Sequence, residues 1–345
     1  MNRWNRKRKK WLDCKSKKGN GRKHIQNHHR SVAYTSGLYI SHMETSEDGA
    51  LSVTLRPPTN FSLINNPEET MTFFADFATQ IDRKRENVHF FIDSKEVELV
   101  TVDALICLIA ILQNDGVNSR FRYSFAGNYP MNEEANRVYS ESGFNDYVVS
   151  KMRQLPDSNN KKRITCGIKN ESMAAKELCD FVMNSLNKSR RDIQPIQKVL
   201  IELMSNVYHH AYEKNTFMAK KWYMYAEHVD DYVRCVFVDT GHGIAKTARK
   251  NFGEKLKSFF RMELNDSRII KSIFNGDFRT ATNEKFRGNG LSSVREFVKA
   301  EIFEEFEVIS GSGRCIIPKK DDSNEILSIC YEKKLYGTLF QFVIK

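Results

Sequence analysis

The sequence has few of the features that mark secreted, membrane-embedded or metal-built proteins. Its seven cysteines form no CxxC pair and no spacing typical of metal ligands, and an odd, scattered set suits reduced thiols in a cytosolic compartment. No apolar run is long enough to cross a bilayer, and the amino terminus is polar and basic, without the apolar segment of a signal peptide. We therefore expect a cytoplasmic protein with no membrane partner.

The excess positive charge is confined to residues 1–30. Twelve of the 54 lysines and arginines lie there beside one acid, Asp13, so residues 31–345 carry 42 basic and 42 acidic side chains. The net charge of +11 therefore belongs to a basic tail, and the rest of the chain is neutral. Such a tail is typical either of a disordered, solvated arm or of a salt-sensitive contact with nucleic-acid phosphates. Composition alone does not separate the two.

Alternating strand and helix patterns predict a small α/β unit over residues 48–155. The patterned segments are 50–55, 88–93 and 120–127 for strands, and 68–81, 102–113 and 132–144 for helices. The polar run "PDSNNKKR" at 156–163 predicts a linker. It leaves 164–345 as a second unit, so the predicted class is α/β throughout.

The second unit also carries local signals for where its elements begin and end. Asn170 is a plausible N-cap for a helix, and Pro195 suits the first turn of the next helix. The stretch "EFEVISGSGRCII" predicts a hairpin that turns at residues 311–313. A Gly-Ser-Gly phosphate loop is a far less favoured interpretation of the same three residues.

One helical stretch, "KVLIELMSNVYHHAYEK", carries polar groups inside an apolar run. Glu202 and Asn206 are one helical turn apart, and His209 and His210 follow as neighbours. A zinc-protease interpretation fails because H-E-x-x-H is absent. Adjacent residues also point about 100° apart on a helix and cannot share one metal as an i, i+4 pair can.

Three glycine-containing motifs follow this helix. Taken alone, each is typical of an ordinary turn at the end of a strand or the start of a helix and indicates no function. They are "VFVDTGHGI" with Asp239, Gly241 and Gly243, "RGNGL" with Arg287, Gly288 and Gly290, and "YGTLFQFVI" with Gly337 and Thr338. Their order after E-x-x-x-N resembles the GHKL (Bergerat-fold) ATPases, which include gyrase, MutL, histidine kinases and anti-sigma-factor kinases. The resemblance covers about residues 165–345. It implies an α+β two-layer sandwich at 164–345 that binds ATP and Mg²⁺.

The resemblance also implies a role for each residue of the adenine pocket. Asp239, at a strand end, would accept a hydrogen bond from the exocyclic amine of adenine, and the Thr338 hydroxyl would support that contact. Gly241 and Gly243 would let the backbone pass close to the purine.

The phosphate end of the implied site draws on other residues. Asn206 would offer a neutral oxygen to Mg²⁺, and Glu202 would orient or deprotonate the attacking group. His209 stands where kinase-like members usually carry a cation near the phosphates. Gly288 and Gly290 would lead into a helix whose N-terminus favours phosphate, and Arg287, at the end of the implied nucleotide lid 245–287, would contact the phosphates.

The first unit resembles STAS domains, the fold of anti-sigma-factor antagonists. The resemblance rests on "VHFFIDSKEVELVTVDALICLIAIL" followed by "RYSFAGNYPMNEEANRVYSESGFNDYV". Where antagonists carry a phosphorylatable serine, this chain has Thr101-Val102-Asp103-Ala104. We favour Asp103 as a helix cap, with Thr101 as the minor alternative of a phosphoacceptor.

The leading functional hypothesis is a regulatory ATPase that couples a Mg-ATP-bound state to a protein partner, or to nucleic acid through residues 1–30. The first alternative is an anti-sigma-type serine/threonine protein kinase. The second is a non-enzymatic, ATP-gated adaptor in a bacterial defence or regulatory operon. A homodimer is expected by analogy with the family.

Overall fold

The computed structural model describes residues 39–46, 49–83, 85–149, 156–210, 221–250, 265–277, 302–317 and 325–345, without the side chains of 115–117 and 208–210. These residues form a mixed α/β structure with a four-stranded sheet, a five-stranded sheet and a two-stranded pair. None of the helices within these ranges is long and apolar enough to span a membrane.

The four-stranded sheet organises the first unit. Its strands run in the order β1 (Ile40–Thr45), β2 (Leu51–Leu55), β4 (Val88–Ile92) and β6 (Ser124–Gly127). The first pair is antiparallel and the other two are parallel. The short pair is β3 (Asn60–Phe61) with β5 (Leu99–Val100). The helices are α1 (Pro67–Asp82), α2 (Val102–Leu112), α3 (Asp115–Arg120), α4 (Glu133–Glu141) and α5 (Phe144–Val148).

The five-stranded sheet is antiparallel throughout. Its strands are β7 (Lys161–Gly167), β8 (Trp222–Val229), β9 (Tyr232–Asp239), β10 (Glu305–Ile317) and β11 (Leu327–Ile344), in the spatial order β10-β11-β9-β8-β7. The helices α6 (Ser172–Leu186), α7 (Arg190–His210) and α8 (Asp266–Asn275) accompany it.

Both faces of this larger sheet are buried, as the central strand β9 illustrates. Cys235 and Phe237 belong to the core beneath the helices, whereas Val236 and Val238 belong to the core shared with the first unit. Successive side chains in a strand point to opposite faces, so the helices cover one face and the first unit covers the other. Helix α2 contacts β9, which explains why its sequence is apolar almost all round.

Two predicted helix starts are wrong. Helix α6 has Glu171 rather than Asn170 at its N-cap position. Helix α7 begins at Arg190, so Pro195 lies inside the helix instead of in its first turn. The Asp192 carboxylate accepts hydrogen bonds from the Ser189 amide and hydroxyl, at 3.1 and 2.7 Å, and the Asp192 amide donates to the Ser189 hydroxyl. This reciprocal capping box explains why the helix begins at Arg190 and not at Pro195, the residue that was expected in its first turn.

The hairpin prediction at 311–313 is also wrong. Strand β10 continues through these residues and pairs with β11, and its register shifts at Gly311. Gly311 has a φ of +59°, so a β-bulge stands where a turn was expected. Likewise, β7 begins at Lys161, within the segment 156–163 that its composition marked as a linker.

Asp103 does more than cap a helix. Thr101 occupies the N-cap position of α2 without a side-chain capping bond. The buried Asp103 carboxylate, one position inside the helix, accepts the amide hydrogen of Leu63 at 2.7 Å. Burial raises the pKa of Asp103, against hydrogen bonds that lower it. The side chain therefore ties the start of α2 to a segment forty residues earlier.

A buried ion pair joins the two units. Glu307 on β10 is 1% exposed, and the Nε atom of Arg314 lies 2.5 Å from its Oε1 atom. The same guanidinium donates to the carbonyl oxygen of Ile64 in the first unit, at 3.0 Å. Burial raises the pKa of Glu307 to about 7, although Arg314 acts in the opposite direction. Desolvation therefore outweighs the attraction of the cation.

Arg314→Met should destabilise the protein in a pH-dependent manner. The folded-state pKa of Glu307 lies above its ordinary value, so stability falls as pH rises from about 4.5 to about 7. Removing the cation deepens this loss, by about 3–5 kcal/mol near pH 8 and by less near pH 5, where Glu307 keeps its proton. Urea unfolding at both pH values measures the difference. The double variant Glu307→Leu/Arg314→Met serves as the control and should recover most of the loss, whereas an equal loss at both pH values would contradict the assignment.

Candidate functional site

Five residues on five adjacent strands form one row across the end of the larger sheet. In spatial order they are Gly167, Trp222, Asp239, Thr338 and Ser310, each in register with the next. The last three are polar, and all three are buried. A run of three neighbouring buried polar side chains inside a largely apolar sheet needs a chemical reason.

The polar row lies on the helix-covered face of the sheet. Two positions away from these three residues, within the same strands, are core residues beneath the helices: Phe237, Phe340 and Val308. Because side chains alternate along a strand, Asp239, Thr338 and Ser310 point into the same layer. The sequence predicted Asp239 and Thr338 as site residues, and the structure places them side by side.

Asp239 is the electrostatic centre of the row. Its side chain is 8% exposed, and its Oδ1 atom accepts the amide hydrogen of Gly241 at 2.7 Å. Burial raises the pKa of Asp239 to about 6, while hydrogen bonds from Gly241 and the Thr338 hydroxyl lower it. At neutral pH the carboxylate is therefore charged and poorly solvated, so it is disposed to accept further hydrogen bonds.

Ser310 holds the turn that follows Asp239. Its hydroxyl oxygen accepts the amide hydrogen of Ile244 at 2.8 Å and lies 3.1 Å from the Thr338 hydroxyl. Gly243 has a φ of +83°, and a Cβ atom there would meet the Ser310 hydroxyl at 2.8 Å. The sequence analysis missed Ser310, because a serine within a strand has no spacing signal of its own.

Gly337 lets β11 approach the end of β9. Its φ is +95°, and a Cβ atom at this position would lie 2.0 Å from the carbonyl oxygen of Asp239. No side chain fits at such a distance from backbone. Glycine is therefore required before Thr338 for the two strands to bring Thr338 beside Asp239.

A second carboxylate, also missed from sequence, lies next to the row. The Asp266 carboxylate accepts the amide and hydroxyl hydrogens of Ser312 at 2.9 and 3.1 Å, and it pairs with Arg249 at 2.6 Å. Burial would raise its pKa, but the Ser312 and Arg249 interactions prevail and lower it. A Cβ atom on Gly311 would lie 2.3 Å from this carboxylate. The Gly-Ser-Gly bulge therefore packs against the Asp266 carboxylate, an anion that belongs to the same chain.

The predicted helix residues belong to α7, which packs on the helix-covered face of the sheet. Glu202 and Asn206 are half-buried on α7, whose Leu203 and Val207 share a core with Trp222. The His209 backbone completes the last turn of this helix, but its side chain lies outside the described part of the structure. Also outside the described residues are Arg287, Gly288 and Gly290. The structure therefore brings Asp239, Gly241, Gly243 and Thr338 together in one cluster. The phosphate contacts expected of His209, Arg287, Gly288 and Gly290 stay predictions.

No known protein-family model matches the chain, and no curated protein matches it at a significant level. The features that bear on function are therefore local: a buried carboxylate at a strand end, a two-glycine turn after it, and a helix on the same face of the sheet that carries two polar residues.

Asp239→Asn should stabilise the folded protein above about pH 6. The folded-state pKa of Asp239 exceeds its ordinary value of 3.8, so ionisation destabilises the native state as pH rises from about 4 to about 6. Asparagine removes that ionisation and keeps an oxygen for the Gly241 amide. We expect the free energy of unfolding to rise by about 1–3 kcal/mol near pH 8, with a smaller gain near pH 4.

Thermal and urea unfolding of the variant at both pH values test this expectation. Asp231→Asn is the matched control, because Asp231 is an exposed acid just before the opposite end of β9. A variant at position 239 that is less stable than the parent protein near pH 8 would contradict the electrostatic description of the row.

Proposed function

We propose that this chain binds Mg-ATP at the polar row and acts as a GHKL-type regulatory ATPase. The observation that carries the proposal is the buried Asp239 carboxylate, set beside Thr338 at the end of a central strand. Two further features support it: Ser310 fixes the glycine turn after Asp239, and α7, which carries Glu202 and Asn206, packs on the same face of the sheet as the row.

Adenine suits the chemistry of this carboxylate. One oxygen of Asp239 is engaged by the Gly241 amide, and the carboxylate retains acceptor capacity for the exocyclic amine of the base. A hydrogen bond to a charged acceptor contributes about 1.5–3 kcal/mol. Hypoxanthine carries a carbonyl oxygen at the same ring position, and that oxygen would face the carboxylate without a hydrogen. The pocket should therefore distinguish ATP from ITP.

Helix α7 carries two side chains that suit the phosphate end of the nucleotide. The Asn206 side chain offers an amide oxygen of the kind that Mg²⁺ accepts alongside waters and phosphate oxygens. Glu202, one turn earlier on the same helix, can orient or deprotonate an attacking group. Bound Mg-ATP supplies a transferable γ-phosphoryl group. His209, Arg287, Gly288 and Gly290 remain predicted contacts for the phosphates.

Regulation would use the first unit, which we propose is STAS-like. It covers the face of the larger sheet opposite to the polar row, so residues 238–240 lie between the proposed nucleotide site and the first unit. A protein partner that contacts the first unit would thereby sense the nucleotide. Nucleic acid bound through residues 1–30 is the alternative partner, and release of radiolabelled phosphate to water or to protein separates an ATPase from a kinase.

Asp239→Asn should lose ATP affinity and ATP/ITP discrimination together. Loss of a charge-assisted hydrogen bond weakens ATP binding by about 10- to 100-fold, while ITP binding should change little or improve. Isothermal titration of both nucleotides with Mg²⁺ measures the two affinities. Asp231→Asn should behave as the parent protein does. Unchanged ATP affinity in Asp239→Asn would refute the site.

Variants of Glu202 and Asn206 should separate the residues that ATP turnover needs from those that Mg²⁺-dependent ATP binding needs. Glu202→Gln should retain ATP affinity and lower phosphate release by about 100-fold, because a general base contributes on that order. Asn206→Ala should weaken the Mg²⁺ dependence of ATP binding, whereas Asn184→Ala, an exposed asparagine on the neighbouring helix α6, should not. Phosphate release and Mg²⁺ titrations give these values. Full turnover in Glu202→Gln would remove Glu202 from the mechanism.

A further inference from the structure

Two neighbouring parallel strands, β4 and β6, are preceded by arginine-containing segments. The two segments touch, since the Asn87 amide donates to the carbonyl oxygen of Phe121 at 3.0 Å. Parallel strands begin at the same edge of a sheet, so the arginines of both segments lie along one edge of the first unit. Three of them are exposed and the second is half-buried; together we call them the arginine rim: Arg83, Arg85, Arg120 and Arg122.

Arg122 occupies a backbone position that normally belongs to glycine. The Tyr123 amide donates to the Asn118 carbonyl oxygen at 2.8 Å, which is the longer bond of a Schellman motif at the end of α3. The shorter bond runs from the Arg122 amide to the Ser119 carbonyl oxygen, at 3.3 Å. In this motif the residue after the helix cap is left-handed, and Arg122 has a φ of +54°.

This conformation is strained for an arginine. Glycine adopts it without a steric penalty and asparagine tolerates it, as Asn87 does in the facing segment with a φ of +58°. Residues held in such conformations concentrate at sites where function requires the side chain. The arginine at position 122 therefore calls for a role outside the fold.

The arginine rim is a local excess of positive charge on a neutral body. Segments 82–87 and 118–123 together hold five cations and two acids, whereas residues 31–345 carry equal numbers of each. One of the two acids, Asp82, accepts a hydrogen bond from the Tyr336 hydroxyl at 3.4 Å. The arginine rim should therefore attract anions although the body as a whole has no net charge.

Aromatic rings lie among these arginines. The guanidinium carbon of Arg120 lies 5.6 Å from the centroid of the Phe121 ring, and Tyr336 is 62% exposed. Asp82, Phe121 and Tyr336 also line one cavity of about 210 Å³, between the first unit and the end of β9 at residues 238–240. The two segments and Tyr336 therefore meet at one place. Cationic side chains beside exposed aromatic rings are typical of surfaces that bind single-stranded nucleic acid.

We infer that the arginine rim binds the phosphate backbone of single-stranded nucleic acid, with Tyr336 as a stacking surface for a base. A guanidinium group presents parallel donors that match two phosphate oxygens. Stacking on Tyr336 distinguishes this partner from an acidic protein segment, whose carboxylates would use the arginines alone. The basic residues 1–30, which precede β1 of the same sheet in the sequence, would add phosphate contacts.

This surface gives the alternative partner of the proposed function a place on the first unit. It does not depend on ATP binding, and its tests need no nucleoside triphosphate. Its failure would therefore leave the proposed nucleotide site untouched, and failure of that site would leave the arginine rim untouched.

Removal of two arginines tests the phosphate contacts. The full chain is titrated into a fluorescein-labelled oligothymidylate of about 20 nucleotides, and fluorescence anisotropy is measured at several salt concentrations. Arg120→Gln/Arg122→Gln should lower affinity about tenfold at low salt. It should also reduce the slope of log affinity against log salt by about 1.4, because each phosphate contact on a single strand contributes about 0.7.

Arg190→Gln/Arg191→Gln is the matched control, since it removes the same charge from two exposed residues at the start of α7. It should change affinity by less than about twofold. An equal loss in both double variants would mean that binding follows net charge alone, and it would overturn the inference, as would a parent chain that does not bind. Poly-L-glutamate serves as competitor. If it displaces the oligonucleotide at an equal concentration of charges, the arginine rim is a surface for acidic proteins and the inference is wrong.

The stacking contact is tested at position 336. Tyr336→Ala should lower affinity about tenfold, because stacking of one base on an aromatic ring contributes on that order, and it should leave the salt slope unchanged. Tyr336→Phe keeps the ring and should bind as the parent protein does. Equal affinities of the alanine and phenylalanine variants would remove Tyr336 from the site.

The strain at Arg122 provides a separate test. Arg122→Gly should raise the midpoint of thermal unfolding by about 2 °C, because glycine relieves the left-handed conformation. The same variant should bind the oligonucleotide about threefold more weakly. Asn187→Gly is the control, since Asn187 caps α6 with a φ of +51°, and it should leave affinity unchanged. An Arg122→Gly variant that binds as tightly as the parent protein would contradict the role assigned to Arg122.

Discussion

A sheet that is apolar on both faces must be covered twice. The larger sheet has this property because β9 alternates between two hydrophobic cores, one beneath the helices and one beneath the first unit. The requirement explains why α2 is apolar almost all round and why Glu307 is buried at the joint between the units. The cavity near residues 238–240 marks a place where the two layers do not meet completely.

Within this largely apolar sheet, the polar row brings three buried polar side chains together, and departures of this kind concentrate at functional sites. Burial works against the charge on Asp239, and the chain nevertheless arranges Gly241, Thr338 and Gly337 around it. Ser310 then extends the arrangement to the turn at Gly243. A carboxylate held in place at the expense of stability is more easily understood as a binding group than as a structural one.

The sequence predicted an element correctly where the local spacing of apolar residues determines that element. The helical spacing of α1 and α2 predicted each helix within a residue or two of its observed bounds. It failed at 311–313, because Gly-Ser-Gly has the composition of a turn and only the distant pairing with β11 makes it a bulge. Ser310 and Asp266 were missed for the same reason, since their partners lie far along the chain. The apolar residues 235–238 at the carboxyl end of β9 fit a strand that is covered on both faces.

The pairing of the two units has a consequence for how the protein is made. Helix α1 contacts β11, and the hydrogen bond from Tyr336 to Asp82 joins residues 254 positions apart. During synthesis the first unit therefore leaves the ribosome long before the strand that covers it. Its apolar helix α2 stays open to solvent through that interval, which is when such surfaces associate with other chains. Contacts of such long sequence separation also favour slow folding, which lengthens the interval in which this apolar surface is open.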